Sequence, residues 1–196
     1  VADIGSDHGY LPLALMMHKK CRAIAVEVRS GPWEQTKRSA ERANLELDVR
    51  LGYGLRPLSP GEVRHVVIAG MGGQTIIEIM MDAAKKRTSF PRWVLQPMTN
   101  SEELRCQLHA WKMRIDQEWI VEDGNQFYVG MSASFGEPVT DGRLTVLYPG
   151  LNSRELELIG RCLLLNPDPK ITRYFHWRLQ KLLHFHGTLP LDKRRH

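Results

Sequence analysis

The sequence predicts an α/β protein with a mostly parallel, doubly wound sheet that ends in an antiparallel hairpin, followed by a small C-terminal helical hairpin. Short apolar runs of strand length alternate with amphipathic helical segments as far as residue 111, which is typical of a parallel sheet covered by helices. The turn at 122–125 then joins two further runs with strand character. In such a sheet the loops after the strands meet at one edge, where ligands bind.

Each predicted strand is a short apolar run that closes at a polar or glycine-containing turn. The strands are predicted at 1–3, 23–27, 47–51, 65–69 and 92–96, and the hairpin strands at 115–121 and 126–134. The helices between them are predicted at 11–17, 30–44, 74–84 and 99–111. The last of these is expected to begin with a capping box formed by Thr99 and Glu102.

Two further helices are predicted after the sheet, in the order of a helical hairpin. Asn152 and Glu155 are suited to capping the first, and the segment 166–169, which contains two prolines, ends it. The second helix is expected to turn its apolar residues inward and its basic residues outward. The inward residues are Ile171, Phe175, Leu179 and Leu182, and the outward residues are Arg173, Arg178 and Lys181.

The turn after the first strand has the pattern of a nucleoside-type cofactor site, Asp3-x-Gly5-x-x-x-Gly9. Glu27 ends the next strand, where an acid can bind a pair of ribose hydroxyls. Dinucleotide sites need a glycine where Asp7 stands, and a carboxylate there would repel a pyrophosphate. It is compatible with a sulfonium and an ammonium group, so the pattern favours S-adenosylmethionine over NAD. The alternative is an ordinary tight turn with surface acids.

The positive charge of the chain is concentrated at its C-terminal end. Residues 1–150 contain 18 Lys and Arg and 18 Asp and Glu, whereas residues 151–196 contain 9 and 4. Clustered positive charge is expected of a module that binds a nucleic acid backbone, although a solvated basic tail has the same composition. We therefore expect two domains, a cofactor-binding domain at 1–148 and a basic helical hairpin at 149–196 that contacts RNA.

Length and composition restrict the class of protein. A chain of 196 residues with 42% hydrophobic residues accommodates one α/β domain and a small appendage. No apolar run is long enough for a transmembrane helix, and the three scattered cysteines are typical of reduced thiols. We expect a cytoplasmic monomer without a metal or a membrane partner. Since Val1 already lies inside a strand, we also expect natural residues upstream of it.

Four segments together resemble the bacterial TrmK family, in matching order along nearly the whole chain. They are 3–12 (D-I-G-S-D-H-G-Y-L-P), 69–73 (A-G-M-G-G), 95–97 (L-Q-P) and 122–124 (E-D-G). Members of this family are S-adenosylmethionine-dependent tRNA (adenine-22-N1)-methyltransferases. The resemblance implies a Rossmann-like class I methyltransferase domain with a C-terminal helical, coiled-coil-like appendage, and a tRNA substrate.

The resemblance also implies a set of cofactor-binding residues. It assigns Gly5, Asp7, His8, Gly9, Glu27, Ala69, Gly70 and Met71 to the cofactor pocket; Asp3, Ser6, Val28, Tyr53 and Gly54, which lie beside them at the strand ends, complete the expected set. The family has an acid in the turn after the third strand, where this chain has Tyr53. A tyrosine there can stack on adenine or use its hydroxyl group as a hydrogen-bond partner.

Methyl transfer to N1 of adenine needs no strong base, since that nitrogen is unprotonated at neutral pH. Positive charge appears on the purine, and a nearby carboxylate would stabilise it. We expect Asp7 to supply this stabilisation, His8 to orient the base and Asn100 to hydrogen-bond its edge. The alternatives are that Asp7 caps the following helix, that His8 makes a structural hydrogen bond in the turn, and that Asn100 serves only the start of its helix.

Three other functions remain open at this point. A methyltransferase acting on a small molecule or a protein would need the same cofactor turn. A chain that has lost activity and only binds RNA would keep the basic helices. An NAD-dependent oxidoreductase is disfavoured by Asp7. The expected RNA-binding residues are Arg173, Arg178 and Lys181. They argue only weakly against another methyltransferase substrate, and an inactive RNA-binding chain would share them, so cofactor binding is what separates that alternative.

Overall fold

The computed structural model describes residues 1–19, 21–136 and 141–188, with side chains as far as residue 184. Its seven strands form one sheet in the order β3-β2-β1-β4-β5-β7-β6. The strands are β1 Ala2–Ile4, β2 Ile24–Glu27, β3 Asp48–Leu51, β4 His65–Met71, β5 Arg92–Pro97, β6 Met113–Asp123 and β7 Gln126–Phe135. The first five are parallel, and β7 runs antiparallel to both β5 and β6. The mostly parallel sheet with its terminal hairpin is confirmed.

Helices connect the parallel strands and also follow the sheet. They are α1 Tyr10–Lys19, α2 Ser30–Arg42, α3 Gly73–Asp82, α4 Ser101–Ala110, α5 Gly142–Leu147, α6 Ser153–Ile159, α7 Arg161–Leu165 and α8 Pro169–Thr188. Every helix predicted between the strands is present, with ends shifted by a few residues. The central strands are apolar at nearly every position, and Ile68, Trp93 and Leu95 are fully buried, because helices cover both faces of such a sheet.

The predicted capping box at the start of α4 is wrong. The helix begins after Asn100, whose backbone is left-handed with φ 55° and whose side chain makes no capping hydrogen bond. Thr99 therefore lies one residue before the N-cap position, and its carbonyl accepts the Gly73 N–H at the start of α3 at 2.8 Å. The local capping motif predicted the start of the helix one residue too early.

The C-terminal region is helical, as predicted, but it has more helices than two. The capping box between Asn152 and Glu155 is present at the start of α6. Gly160, with φ 106°, then interrupts what was expected to be one helix and separates α6 from α7. The helices pack on the sheet domain rather than only on each other: α6 contacts α4, and α7 and α8 contact β6.

The predicted inward face of α8 is correct at one end and wrong at the other. Ile171 is buried as expected, but Leu179 and Leu182 are 53% and 56% exposed. The face towards the sheet is set instead by Tyr174 and Trp177, whose rings lie 6.2 and 5.5 Å from that of Phe127 in the hairpin. Helical periodicity identified an apolar stripe, and this aromatic cluster selects which part of it is covered.

Within the described residues, no helix combines the length and the apolar character needed to cross a membrane.

Candidate functional site

The sheet brings the predicted site segments together at the carboxyl ends of its strands. The loops after β1 and β4 flank the point where the strand order changes direction, which is where open α/β sheets bind ligands. The Gly5 N–H donates to the Val26 carbonyl at 2.8 Å, and the Gly52 N–H donates to the Glu27 carbonyl at 2.7 Å. Backbone hydrogen bonds thus hold the ends of the first three strands in one row.

The loop after β4 lies next to the turn after β1, on the side opposite β2. A Cβ atom placed on Gly5 would lie 2.2 Å from the Met71 methyl group, so the loops after β1 and β4 are in direct contact. The Met71 carbonyl accepts the Met98 N–H at 2.8 Å, which joins the loop after β5 as well. The loops that follow the five parallel strands therefore adjoin one another at this edge, as expected from the sequence.

The turn after β1 is held in a conformation that ordinary residues seldom adopt. Asp7 has φ 54° and Gly9 has φ 76°. The hydroxyl group of Thr36, on α2, donates a hydrogen bond to the Asp7 carbonyl. A Cβ on Gly9 would lie 2.8 Å from the Thr36 side-chain methyl. The turn therefore fits closely against Thr36, a buried residue that the sequence analysis did not identify.

Two carboxyl groups are buried beneath this turn. Glu27 is 4% exposed and Asp3 is 6% exposed. The pKa of Glu27 is raised to about 7, chiefly by burial and to a smaller extent by the Asp7 and Asp3 carboxylates, against the lowering effects of a hydrogen bond from the Asp7 backbone and of nearby His8. Burial also raises the pKa of Asp3 to about 6. Ionisation of these two buried acids therefore costs free energy, and a ligand with a positive charge or with hydroxyl groups would offset that cost.

Two buried polar atoms of this site have no hydrogen-bond partner among the described residues. They are one carboxylate oxygen of Glu27 (Oε1) and Nδ1 of His8, whereas the Ser6 hydroxyl group is close enough to Asp3 to lower the pKa of that carboxyl group by hydrogen bonding. Buried polar groups are nearly always satisfied in folded proteins. Since both atoms belong to the first two strand ends, they indicate a polar ligand that lies against the turn.

Asp7 and His8 adjoin on the outer side of the turn. The His8 Nε2 atom lies 3.9 Å from an Asp7 carboxylate oxygen, and the Asp7 side chain is 76% exposed. No hydrogen bond from Asp7 to the start of α1 is present in the described part of the chain, so the helix-capping alternative has no support there. The Tyr10 ring, 74% exposed, lies 5.5 Å from the His8 ring. An acid, an imidazole and an exposed ring therefore lie side by side at the rim.

The remaining predicted site residues also lie along the rim. Val28 is exposed, Tyr53 is half-buried with the Arg56 guanidinium 5.4 Å from its ring, and Gly54 is buried. Ala69 and Gly70 lie just before the last residue of β4, Met71, and the Gly70 N–H donates to the side-chain oxygen of Gln96 at 2.8 Å. Gln96 belongs to the segment 95–97 and to a strand end expected at this rim, but its side chain was given no role in the site on sequence grounds.

The three basic residues predicted to point outward from α8 contact the protein itself. Arg173 pairs with Glu122 at the hairpin tip, and Arg178 pairs with Glu102 at the start of α4. The Lys181 ammonium lies 3.9 Å from the centre of the Trp177 ring. The purely outward orientation expected for Arg178 is therefore wrong, because α8 lies close enough to α4 for its arginine to reach an acid there.

Comparisons with known proteins agree with this geometry. A family model described as "Methyltransferase domain" matches residues 1–131. The tRNA (adenine(22)-N(1))-methyltransferase of Bacillus subtilis is 37% identical over 140 residues, which are 70% of this chain and 59% of that protein. The chain thus spans about three-fifths of the length of this curated relative.

Solved structures show the same similarity over almost the whole chain. The Bacillus subtilis m1A22 tRNA methyltransferase TrmK is 29% identical with a TM-score of 0.80, covering 95% of this chain and 78% of that one. Streptococcus pneumoniae Sp1610 in complex with S-adenosyl-L-methionine is 27% identical with a TM-score of 0.76, covering 99% and 85%. The chain therefore belongs to the methyltransferase domain family and, within it, to the TrmK family.

Proposed function

We propose that this chain binds S-adenosylmethionine at the rim of the sheet and directs its methyl group to N1 of an adenine in tRNA. The observation that carries the proposal is the buried Glu27 carboxylate with one unpaired oxygen at the second strand end. An acid at this position of a nucleotide-binding sheet binds ribose hydroxyls. The relatives named for methylating adenine 22 of tRNA support the choice of substrate.

The residues present fit this cofactor. Glu27 would hold the ribose, and the Ser6 hydroxyl group and the unpaired His8 nitrogen, with the bare backbone of Gly5 and Gly9, would hold the amino-acid part. Asp3, Asp7 and Glu27 give the site the negative character that a sulfonium and an ammonium group require. When bound, S-adenosylmethionine supplies an electrophilic methyl group.

The chain's own residues then act on the acceptor base. The exposed Asp7 carboxylate would stabilise the positive charge that develops on the purine as its N1 nitrogen is alkylated. His8 would orient the base, and Asn100, at the exposed rim after β5, would hydrogen-bond its edge. Positioning contributes much of the rate in such a reaction, because the nucleophile needs no prior deprotonation.

Thr36 provides a local test of the cofactor turn. The change Thr36→Val keeps the shape of the side chain but removes the hydroxyl group that holds the Asp7 carbonyl. We expect the dissociation constant for S-adenosylmethionine, measured by calorimetry, to rise about tenfold, since one part-buried hydrogen bond is lost. Thr36→Ser keeps the hydroxyl group and is the matched control. Equal weakening in both variants would contradict this role.

We further propose that residues 149–196 form the RNA-contacting part and that residues 1–148 form the catalytic domain. In this arrangement phosphate groups replace Glu122 and Glu102 as partners of Arg173 and Arg178. The substrate is tRNA, so we place the protein in the cytoplasm. We retain the expectation of a monomer without a metal or a membrane partner as a prediction.

The combined change of Arg173, Arg178 and Lys181 to glutamine tests the RNA surface. We expect tRNA affinity in a filter-binding titration to fall at least tenfold and its dependence on salt to become less steep, because fewer phosphate contacts remain. S-adenosylmethionine affinity should not change. As a control, Arg22, Arg38 and Arg42, exposed outside α8, are changed together. An unchanged salt dependence in the α8 variant would overturn the proposed surface.

The function itself is tested by identifying the methylated nucleoside. Transfer RNA is incubated with the chain and labelled S-adenosylmethionine, digested to nucleosides and separated. The proposal predicts label in 1-methyladenosine. Label in another nucleoside, or in a metabolite pool offered in parallel, would show that the chain is a methyltransferase with another substrate. If the chain binds tRNA but transfers no labelled methyl group to it, the chain is an RNA-binding protein without methyltransferase activity.

A further inference from the structure

The end of β4 contains a bulge at Gly70. In the parallel pairing with β5, Ala69 lies opposite Gln96 and Met71 lies opposite Pro97. Gly70 is thus an extra residue on β4, and its φ of 75° is in the left-handed region. Bulges between parallel strands are rare, and bulges in general are frequent beside active sites.

Because of the bulge, the Gly70 N–H does not take part in the hydrogen bonding between β4 and β5, and it donates to a side chain instead. Gln96 Oε1 accepts this N–H at 2.8 Å, while Gln96 Nε2 lies 3.3 Å from the Met98 sulfur. The backbone pairing resumes directly afterwards, where the Met98 N–H donates to the Met71 carbonyl at 2.8 Å. Gln96 is therefore the side chain that bridges the interruption in the pairing.

The space beside Gly70 differs from that beside the neighbouring site glycine. A Cβ on Gly5 would collide with Met71, whereas a Cβ on Gly70 would have no described atom within 4 Å. This open space adjoins Met71, which packs on the cofactor turn, and faces solvent at the same rim as Asn100. In the proposed function, this open space is where an acceptor base would meet a methyl group presented from the turn.

We infer that Gln96 is a positioning residue for methyl transfer: it fixes the Gly70 peptide that forms the floor beneath the acceptor base. The inference rests on the proposed function, because it assigns the open space to the base. The hydrogen bond is solvent-exposed, so water can replace it with little loss of stability. What is lost without Gln96 is the fixed position of the bulge, and small displacements of reacting groups cost much of the rate.

The test compares Gln96→Leu with Gln96→Glu, which keeps an acceptor oxygen in the same place. For Gln96→Leu we expect kcat to fall about 30- to 100-fold, with the S-adenosylmethionine dissociation constant within about twofold of wild type and the melting temperature unchanged. Gln96→Glu should restore kcat to within about fivefold. Gln74→Leu is the matched control, since Gln74 lies on α3 and its side chain hydrogen-bonds only with Glu78 among the described residues.

Amide hydrogen exchange at Gly70, followed by NMR without cofactor or tRNA, gives a readout independent of activity. Exchange should accelerate in Gln96→Leu and stay slow in Gln96→Glu and Gln74→Leu. If the wild-type chain transfers methyl groups and Gln96→Leu retains its kcat, the role of Gln96 is overturned while the proposed function stands. If wild type transfers none, the proposed function is overturned and this role with it. Equal loss of kcat in the Leu and Glu variants would also overturn the role.

Discussion

Replacing Glu27 with glutamine is expected to raise the dissociation constant for S-adenosylmethionine by about 10- to 100-fold, measured by calorimetry at pH 8. At that pH the wild-type carboxylate is ionised, because its pKa is about 7. A buried carboxylate that accepts hydroxyl hydrogen bonds contributes about 1.5–3 kcal/mol more than no bond, and the neutral amide keeps only part of this. Glu34→Gln is the control, because Glu34 is an exposed acid on α2 that pairs with Arg38.

The same variant separates a binding role from a folding role. The Glu27 pKa is raised from 4.5 in the unfolded chain to about 7 in the folded one. Between these values the folded state holds a proton that the unfolded state has released, so stability falls as pH rises through this window. Above pH 7 the ionised group is therefore a cost, and Glu27→Gln should leave the free energy of unfolding equal or higher. Loss of both stability and affinity would contradict the assignment of Glu27 to the ligand.

The pH dependence of binding follows from the same pKa. If binding requires the carboxylate, wild-type affinity should fall by up to about tenfold per pH unit below pH 7 and be level above it. Glu27→Gln should show only the titration of the ligand and of the remaining buried acid Asp3, whose pKa is about 6, and it supplies the baseline. A wild-type curve parallel to that baseline would show that Glu27 does not titrate on binding.

The sheet was predictable because each of its elements is determined locally. The runs that became β1, β2, β4 and β5 are short, apolar and closed by turns, and parallel pairing requires their carboxyl ends to share an edge. The site residues placed at strand ends, such as Glu27 and Gly70, follow from that rule alone. No tertiary contact had to be known in order to bring them together.

The two residues missed at the site, Thr36 and Gln96, share one cause, which is contact between residues far apart in sequence. Thr36 reaches the Asp7 carbonyl across 29 positions, and Gln96 reaches the Gly70 N–H across 26. Both act on backbone atoms, which leave no pattern in a sequence. The exposed Leu179 has the same origin, because periodicity predicts an apolar face but not whether another element covers it.

Arg105→Met is expected to lower the free energy of unfolding by about 3–5 kcal/mol, measured by urea denaturation. The Arg105 and Glu118 side chains are 1% and 0% exposed, and Arg105 Nε donates to the Glu118 carboxylate at 2.7 Å. Removal of one partner leaves the other charge buried and uncompensated, which is the costly way to break such a pair. Arg38→Met, which breaks the exposed pair with Glu34, should cost less than about 1 kcal/mol.

The double variant Arg105→Met, Glu118→Leu should recover most of the lost stability, since two apolar side chains of similar volume carry no buried charge. It should not recover everything, because Arg105 Nη1 also donates to the Leu158 carbonyl on α6 at 3.0 Å. The pair also lies against Gly160, where a Cβ would be 2.9 Å from Glu118 Oε2. If the double variant is as unstable as the single one, packing at the α6–α7 junction rather than charge holds the C-terminal helices to α4. If the double variant recovers its stability, apolar side chains can replace the buried ion pair in holding the C-terminal helices to α4. The tRNA affinity of the double variant then measures how far the proposed RNA surface depends on the ion pair.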